Sequence, residues 1–306
     1  MAKIVVCGSL NMDVVAVAPR IPVAGETILG SKFFTTPGGK GANQAYAAAK
    51  LNGDVAMLGR VGEDTFAGQM RFSLAETGCN TQSIREVPGT SGVALICVSD
   101  RGENSIVVVP GANELLTKWD VHLESHIFRG CSVLLLQLET PLVTVIAAAQ
   151  AGREQGASVI LDPAPAPHAP LPQELLAAVD ILTPNETEAA ILAGFPPRPL
   201  NPGEAAAIAL KLQAMGPHTV IVKLGAQGCL LWTGGESSVI PAPEVAVVDS
   251  TAAGDVFNGA LAVALSEGST LQQACQFAVR ASALSVTRLG AQSSVPTRTE
   301  VDNFNV

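Results

Sequence analysis

The chain is poor in aromatic side chains: two Trp, one Tyr and nine Phe among 306 residues. Apolar content is nevertheless 48%, carried mainly by Ala, Val and Leu. That balance suits a layered α/β protein with buried parallel strands. Positive charge is also scarce. With 18 Lys and Arg against 27 Asp and Glu, the net charge is −9, which argues against a polyanion such as nucleic acid as the main partner. An anionic cofactor would have to be held by local devices: amides, a few cations and a metal. No apolar run approaches ~18 residues, and no basic segment leads a long apolar one, so neither a membrane span nor a signal peptide is expected. The six cysteines (Cys7, Cys79, Cys97, Cys131, Cys229, Cys275) have no zinc spacing. Most lie in apolar runs, as buried thiols of a reducing cytoplasm would.

Two nucleotide-binding signatures are missing as well. The strand Lys3 to Ser9 ends in Gly8-Ser9 where a dinucleotide fold needs three glycines, which counts against a nicotinamide-dependent oxidoreductase. Thr36-Pro37-Gly38-Gly39-Lys40-Gly41-Ala42-Asn43 is not a P-loop either, because Lys40 precedes Gly41 and no Ser or Thr follows it. Its glycines still bring backbone amides near a ligand, with Lys40 and Asn43 as donors, at the start of a helix running to about Leu51.

What is present centres on Asp249-Ser250-Thr251-Ala252-Ala253-Gly254-Asp255-Val256-Phe257-Asn258-Gly259-Ala260. Val245 to Val248 reads as an apolar strand before it, and Val256 to Leu265 as a buried helix after it. Small residues at such a junction let a ligand approach the backbone. The first amides of a helix are unpaired donors with partial positive charge. Ala252, Ala253 and Gly254 therefore offer an anion hole, and Asp255 a carboxylate able to take a proton from a hydroxyl.

This segment resembles the signature of the ribokinase-type sugar kinases, the phosphofructokinase-B superfamily, and Gly38 to Ala45 resembles that family's second signature. The resemblance runs along nearly the whole chain. It implies a three-layer α/β/α fold with a mostly parallel central sheet and a small antiparallel β lid. Residues 1–306 would form one domain, with the lid from about 12–36 and 90–110. It implies an ATP-dependent kinase acting on the 5-hydroxyl of D-ribose. The alternatives are a sister kinase of deoxyribose, fructose or a nucleoside and, remotely, a non-catalytic binding protein. Asp255 would be the base. Asn11, Asp13, Gly38, Gly39, Lys40, Asn43 and Glu139 would hold the sugar together with Asp255. Asn185, Lys223, Gly225, Gly228 and Gly254 would line the ATP site. Glu188 would serve Mg²⁺ through water, and Asp249, Thr251, Ser285, Arg288, Gly290 and Ser294 a K⁺ ion. Partners would be the sugar, ATP and, through the lid, a second copy. Two departures from the family stand out: Val256 where Thr usually follows the base, and Val279 where a polar residue commonly sits near adenine.

Several local expectations need no family. Gly92 to Ser99 and Asn104 to Val109 read as a hairpin, and Val14 to Ala18 with Thr27 to Thr35 as another pair. Asn11 and Asp13 alternate with apolar neighbours and face one side of an extended segment. Polar residues closing the apolar strand Cys131 to Leu138, Glu139 among them, point to a ligand crevice. Thr183 with Glu186 fits a capping box for the helix after Val179 to Thr183. His122 and His126 could share a helix face, exposed to solvent.

Overall fold

The structure, a computed structural model, describes residues 4–167 and 169–304. Lys3, at the start of the expected first strand, lies outside them. Nine strands form the central sheet: β1 (Ile4–Cys7), β4 (Val55–Gly62), β5 (Ile84–Val87), β8 (Val133–Leu136), β9 (Ser158–Leu161), β10 (Ile181–Leu182), β11 (Thr219–Lys223), β12 (Cys229–Thr233) and β13 (Glu236–Ile240). Their order is β13-β12-β11-β10-β9-β8-β1-β4-β5. The sheet is parallel from β5 to β11, and only β12 runs against the rest, pairing antiparallel with β11 and β13.

Side chains alternate across a strand, and both faces are covered. Ile4, Val6, Met57 and Leu135 join one core with helices α1 (Lys40–Lys50), α2 (Thr65–Glu76), α8 (Ala253–Ser266), α9 (Leu271–Ser285) and α10 (Arg298–Asn303). Val5, Cys7, Leu58 and Leu134 join the other with α3 (Lys118–Leu123), α4 (Leu142–Glu154), α5 (Gln173–Leu176), α6 (Glu186–Leu192) and α7 (Pro202–Gln213). Burial on both faces is why the strands read as continuous apolar runs. Five of the six free cysteines are buried, Cys97 being the half-exposed one. No helix among the described residues is long and apolar enough to cross a membrane.

A second sheet contains β2 (Asn11–Ala18), β3 (Lys32–Gly38), β6 (Gly92–Ser99) and β7 (Asn104–Val109), in the order β3-β2-β6-β7. The hairpin β6–β7 has the expected bounds. The sheet is mixed, not antiparallel: β2 and β6 run parallel in its centre, because each leaves the central sheet in the same direction. The segment 27–30 is not strand, since the β2–β3 ladder ends at Val17 opposite Lys32.

Three further expectations are corrected. The segment 245–248 is not a strand. It follows edge strand β13, Pro241 and Pro243 interrupt the donors before it, and Val247 and Val248 are exposed. Thr183 is not a helix cap; its hydroxyl donates to Leu161 O, and the capping box of α6 is Asn185 with Glu188. His122 and His126 do not share a helix, for α3 stops at Leu123 and His126 sits in a separate 3₁₀ turn; both are exposed.

Candidate active site

The carboxyl ends of the parallel strands carry the polar groups, as the crevice rule of open α/β sheets requires. Gly8 to Leu10 follow β1, Gln137 to Glu139 follow β8, Asp162 follows β9, Asn185 follows β10, and Lys223 closes β11. Two helix starts face them. α1 begins after Gly39, whose φ of 90° and whose approach to Asn11 N (2.6 Å from an ideal Cβ) exclude a side chain. α8 begins after Ala252, which holds a left-handed φ of 59°. That conformation costs a non-glycine residue about 1–2 kcal/mol, and strain of this kind collects at functional sites.

At the α8 turn, Ala253 N–H donates to Ser250 O at 3.2 Å. The Ala252 and Gly254 N–H groups are left without an acceptor among the described residues, so these two, rather than all three, are free to meet an anion. Asp255 is 6% exposed. Its carboxylate accepts Asn43 Nδ2 at 3.1 Å on one oxygen and Gln44 Nε2 at 3.1 Å on the other. Burial pushes its pKa up; Lys40 pulls it down, Asp162 raises it again, and Asn43 and Gln44 lower it, for a result of about 6.

The residues proposed for the sugar gather on the other side of Asp255. Asn11 is held through its Oδ1 by Asn113 Nδ2 at 2.7 Å, and Asn113 also brackets the Leu10 backbone. Asp13 lies beside Gly38, where an added Cβ would come 2.6 Å from its carboxylate. Burial, then Glu139 and Asp255, push Asp13 up to about 7. Glu139 Oε2 accepts Ser9 Oγ at 2.5 Å and Lys40 N at 3.1 Å, so this carboxylate also fixes the glycine loop. Lys40 is desolvated, which lowers an amine's pKa, yet Asp255, Asp162, Glu139 and Glu188 together hold it above the ordinary lysine value.

A cleft of about 840 Å³ leads away from Lys40 and Asp255. Asp162, Asn185, Glu188, Lys223, Gly225, Gly228 and Ala252 to Gly254 line it near the two helix starts, and Ala242, Pro243, Val245, Val247, Val279, Ala283 and Val286 line it further out. Asn11, Asp13, Gly38, Gly39, Asn43 and Glu139 are not part of its wall; the two groups meet only at Lys40 and Asp255. Glu188 Oε2 accepts Asn185 N–H at 2.8 Å while Asn185 Oδ1 accepts Glu188 N–H, so the capping box and a place in the cleft coexist. Asp249 accepts Thr251 N–H and hydroxyl on Oδ1 and Gly290 N–H on Oδ2, joining the two loops read as a cation site. Ser285 and Ser294 are fully buried, with hydroxyls donating to Ser282 O and Ala291 O. The Arg288 guanidinium turns away to Glu300.

Sequence reading missed Asp162 and Asn113, and assigned Gln44 and Gln137 no role of their own. Asp162 carried the same signal as Glu139, a carboxylate closing an apolar strand. Gln44 lay inside the second signature and Gln137 closed an apolar strand, but the partner that gives a buried glutamine its role is legible only in the fold.

This architecture is the ribokinase-like α/β fold. The profile of the pfkB family of carbohydrate kinases matches residues 1–298, and the chain belongs to that family. It is 41% identical to a ribokinase of Haemophilus influenzae over 300 residues, 98% of this chain and 97% of the relative. It is 39% identical to a deoxyribokinase of Salmonella typhi over 303 residues, 99% and 97% of the two chains. The structure of the Arabidopsis thaliana ribokinase complexed with ribose and ATP superposes with a TM-score of 0.92 at 36% identity, covering 99% of each chain.

Proposed function

We propose that the chain is an ATP-dependent kinase of D-ribose, forming D-ribose 5-phosphate and ADP. The observation that carries this reading is Asp255, a buried carboxylate with a pKa of about 6 at the junction of a nucleotide-sized cleft and a carboxylate-and-amide pocket. A base poised near neutral pH takes the proton of the attacking 5-hydroxyl. Asp13 and Asn11 suit a polyol, since an ionised carboxylate can accept hydrogen bonds from two hydroxyls at once. The free amides of Ala252 and Gly254, with Lys40 and Lys223 nearby, receive charge on the moving phosphoryl group. General-base catalysis supplies about 10²–10⁴-fold, so positioning and these donors carry the larger share.

Two ions accompany this reading. Glu188 would hold Mg²⁺, whose charge would offset that of the phosphate oxygens, and the donor set fits it: one carboxylate is enough for an ion that keeps several waters. For K⁺, oxygen ligands would come from the hydroxyls of Ser285 and Ser294 and the backbone around Asp249, Thr251, Arg288 and Gly290. Arg288 can contribute only its carbonyl. Asp249 already ties the two loops together.

Residues 1–306 act as one unit in this proposal, with 12–36 and 90–110 as a lid that excludes water. The lid sheet leaves Phe33, Leu95 and Val107 exposed on one face and Phe34, Ile106 and Val108 on the other. Such apolar surface on a two-sided sheet supports pairing with a second copy. Six free thiols accord with a cytoplasmic location. The deoxyribokinase relative, almost as similar as the ribokinases, makes 2-deoxyribose the second candidate. A panel of sugars assayed with ATP, Mg²⁺ and K⁺ decides: highest kcat/KM for D-ribose supports the proposal, and a preference for deoxyribose or fructose replaces it.

A further inference from the structure

We propose that Asp162 is a positioning residue of the phosphoryl-transfer site: it holds the Lys223 ammonium against the 252–254 turn and, through Gln44, fixes the carboxylate of Asp255. This rests on the reading of Asp255 as the base.

Asp162 is 2% exposed, and both its oxygens are committed. Oδ1 accepts Lys223 Nζ at 2.9 Å, and Oδ2 accepts Gln44 Nε2 at 3.0 Å. The same Gln44 nitrogen donates to Asp255 Oδ1 at 3.1 Å. A side-chain amide nitrogen has two protons, so Gln44 spends one on each carboxylate. Its orientation is set from behind, because Gln137 Nε2 donates to Gln44 Oε1 at 2.7 Å. Flipping Gln44 would face NH₂ with NH₂ and leave both carboxylates short of a donor. Gln44 is itself wholly buried.

Lys223 Nζ lies 3.3 Å from the point where a Cβ on Gly254 would stand. The ammonium is therefore packed against the turn whose amides are free. Without Asp162, a flexible four-carbon stem would leave that charge to wander in the cleft. An isolated buried carboxylate is costly; the chain retains this one with a cation on one side and a bridging amide on the other.

The charged groups facing Asp255 are Lys40 from α1, Asp13 from β2 and Asp162 after β9. Lys223 stands behind Asp162, and Glu188 faces Lys40, Lys223 and Asp162. Removing the negative charge of Asp162 removes a repulsion from Asp255 and leaves Lys223 without its hydrogen-bonded carboxylate. Both changes favour the Asp255 carboxylate.

The test uses the full chain, wild type and Asp162→Asn. Asparagine keeps the shape but has one acceptor oxygen, so Lys223 and Gln44 cannot both be served. Titration of Asp255 followed by ¹³C NMR should move from about 6 downward by on the order of one pH unit, and the lower of the two steps in the acid limb of kcat/KM should follow. The variant's kcat should fall roughly tenfold or more while sugar KM stays within about twofold, as for a group acting only in the transition state. Lys223→Met should cost a similar factor, and the double variant no more than the worse single one, since both break one coupled unit. An unmoved Asp255 titration, or losses that multiply, overturns the proposal and leaves Asp162 a structural residue. The NMR titration needs no turnover, so a wild-type protein that phosphorylates no sugar would refute the kinase reading while the linkage of Asp162 to Asp255 is still decided.

Discussion

Asn43 Nδ2 donates to Asp255 Oδ2 at 3.1 Å, joining two glycine-containing turns 212 residues apart in the chain. The bond brings the start of α1 against the start of α8, so the pocket proposed for the sugar and the cleft proposed for the nucleotide share one carboxylate. Lys40, the first residue of α1, lies at the same junction.

The acid limb comes first. Asp255 and Asp13, raised by burial to about 6 and about 7, must both be ionised to accept hydroxyl protons. kcat/KM, which reports the free enzyme, should fall as pH drops through 7 and 6. A profile flat down to pH 5 would remove these carboxylates from the mechanism.

The same shifts make a stability prediction of opposite sense. A carboxyl whose pKa rises on folding holds its proton more tightly in the native state. It favours folding below about pH 4, near the unfolded-state pKa, and that contribution disappears as pH rises through 6 to 7. Asp13→Asn should therefore raise Tm at pH 8, change it little at pH 4, and abolish sugar binding. A lower Tm at pH 8 would show that Asp13 is a structural partner.

Nucleobase discrimination should be weak. The outer cleft is walled mainly by Ala242, Pro243, Val245, Val279, Ala283 and Val286, with the carboxylate of Glu244 beside them; of the two serines lining the cleft, Ser282 already donates to Ala253 O. ATP and GTP should differ in kcat/KM by less than about tenfold, whereas a side chain that hydrogen-bonds the base rejects the wrong partner by far more. Val279→Asn should widen the ratio. Strong wild-type selectivity for adenine would point to backbone readout.

How much of this was legible in sequence depends on whether a residue acts alone or through a partner. Strands buried on both faces announce themselves as apolar runs, so β1, β8, β9 and β11 were readable, as was the β6–β7 hairpin with its polar turn. Asp255 and Asn43 sit in turns whose small residues mark close approach. Gln44, Gln137 and Asn113 differ: a place in a motif or at a strand end can be read, but not the partner that gives a buried amide its role. The stretch Val245 to Val248 misled for a related reason. Apolar β-branched residues suit a strand, but here the sheet had ended, and Val245 and Val247 line a cleft instead.

Cation dependence is a separate matter. If the loops joined by Asp249 and Gly290 hold K⁺ beside the α8 turn, activity should be higher in KCl than in NaCl at equal ionic strength. Asp249→Ala should erase the difference by freeing Gly290 N–H. Equal wild-type rates in both salts would eliminate the site.

The lid sheet makes an assembly prediction. Analytical ultracentrifugation should give a dimer, and Phe33→Glu or Ile106→Glu, on opposite faces of the sheet, should yield monomer for whichever face is the contact. A monomeric wild type would contradict pairing through this sheet.

The most direct measurement is turnover of Asp255→Asn. Asparagine keeps the volume and one acceptor but cannot take a proton at neutral pH. If Asp255 is the base, kcat for ribose phosphorylation should drop by at least about 10²-fold while the affinity for ATP stays within about twofold. A variant turning over within a few-fold of wild type would contradict the assignment of Asp255.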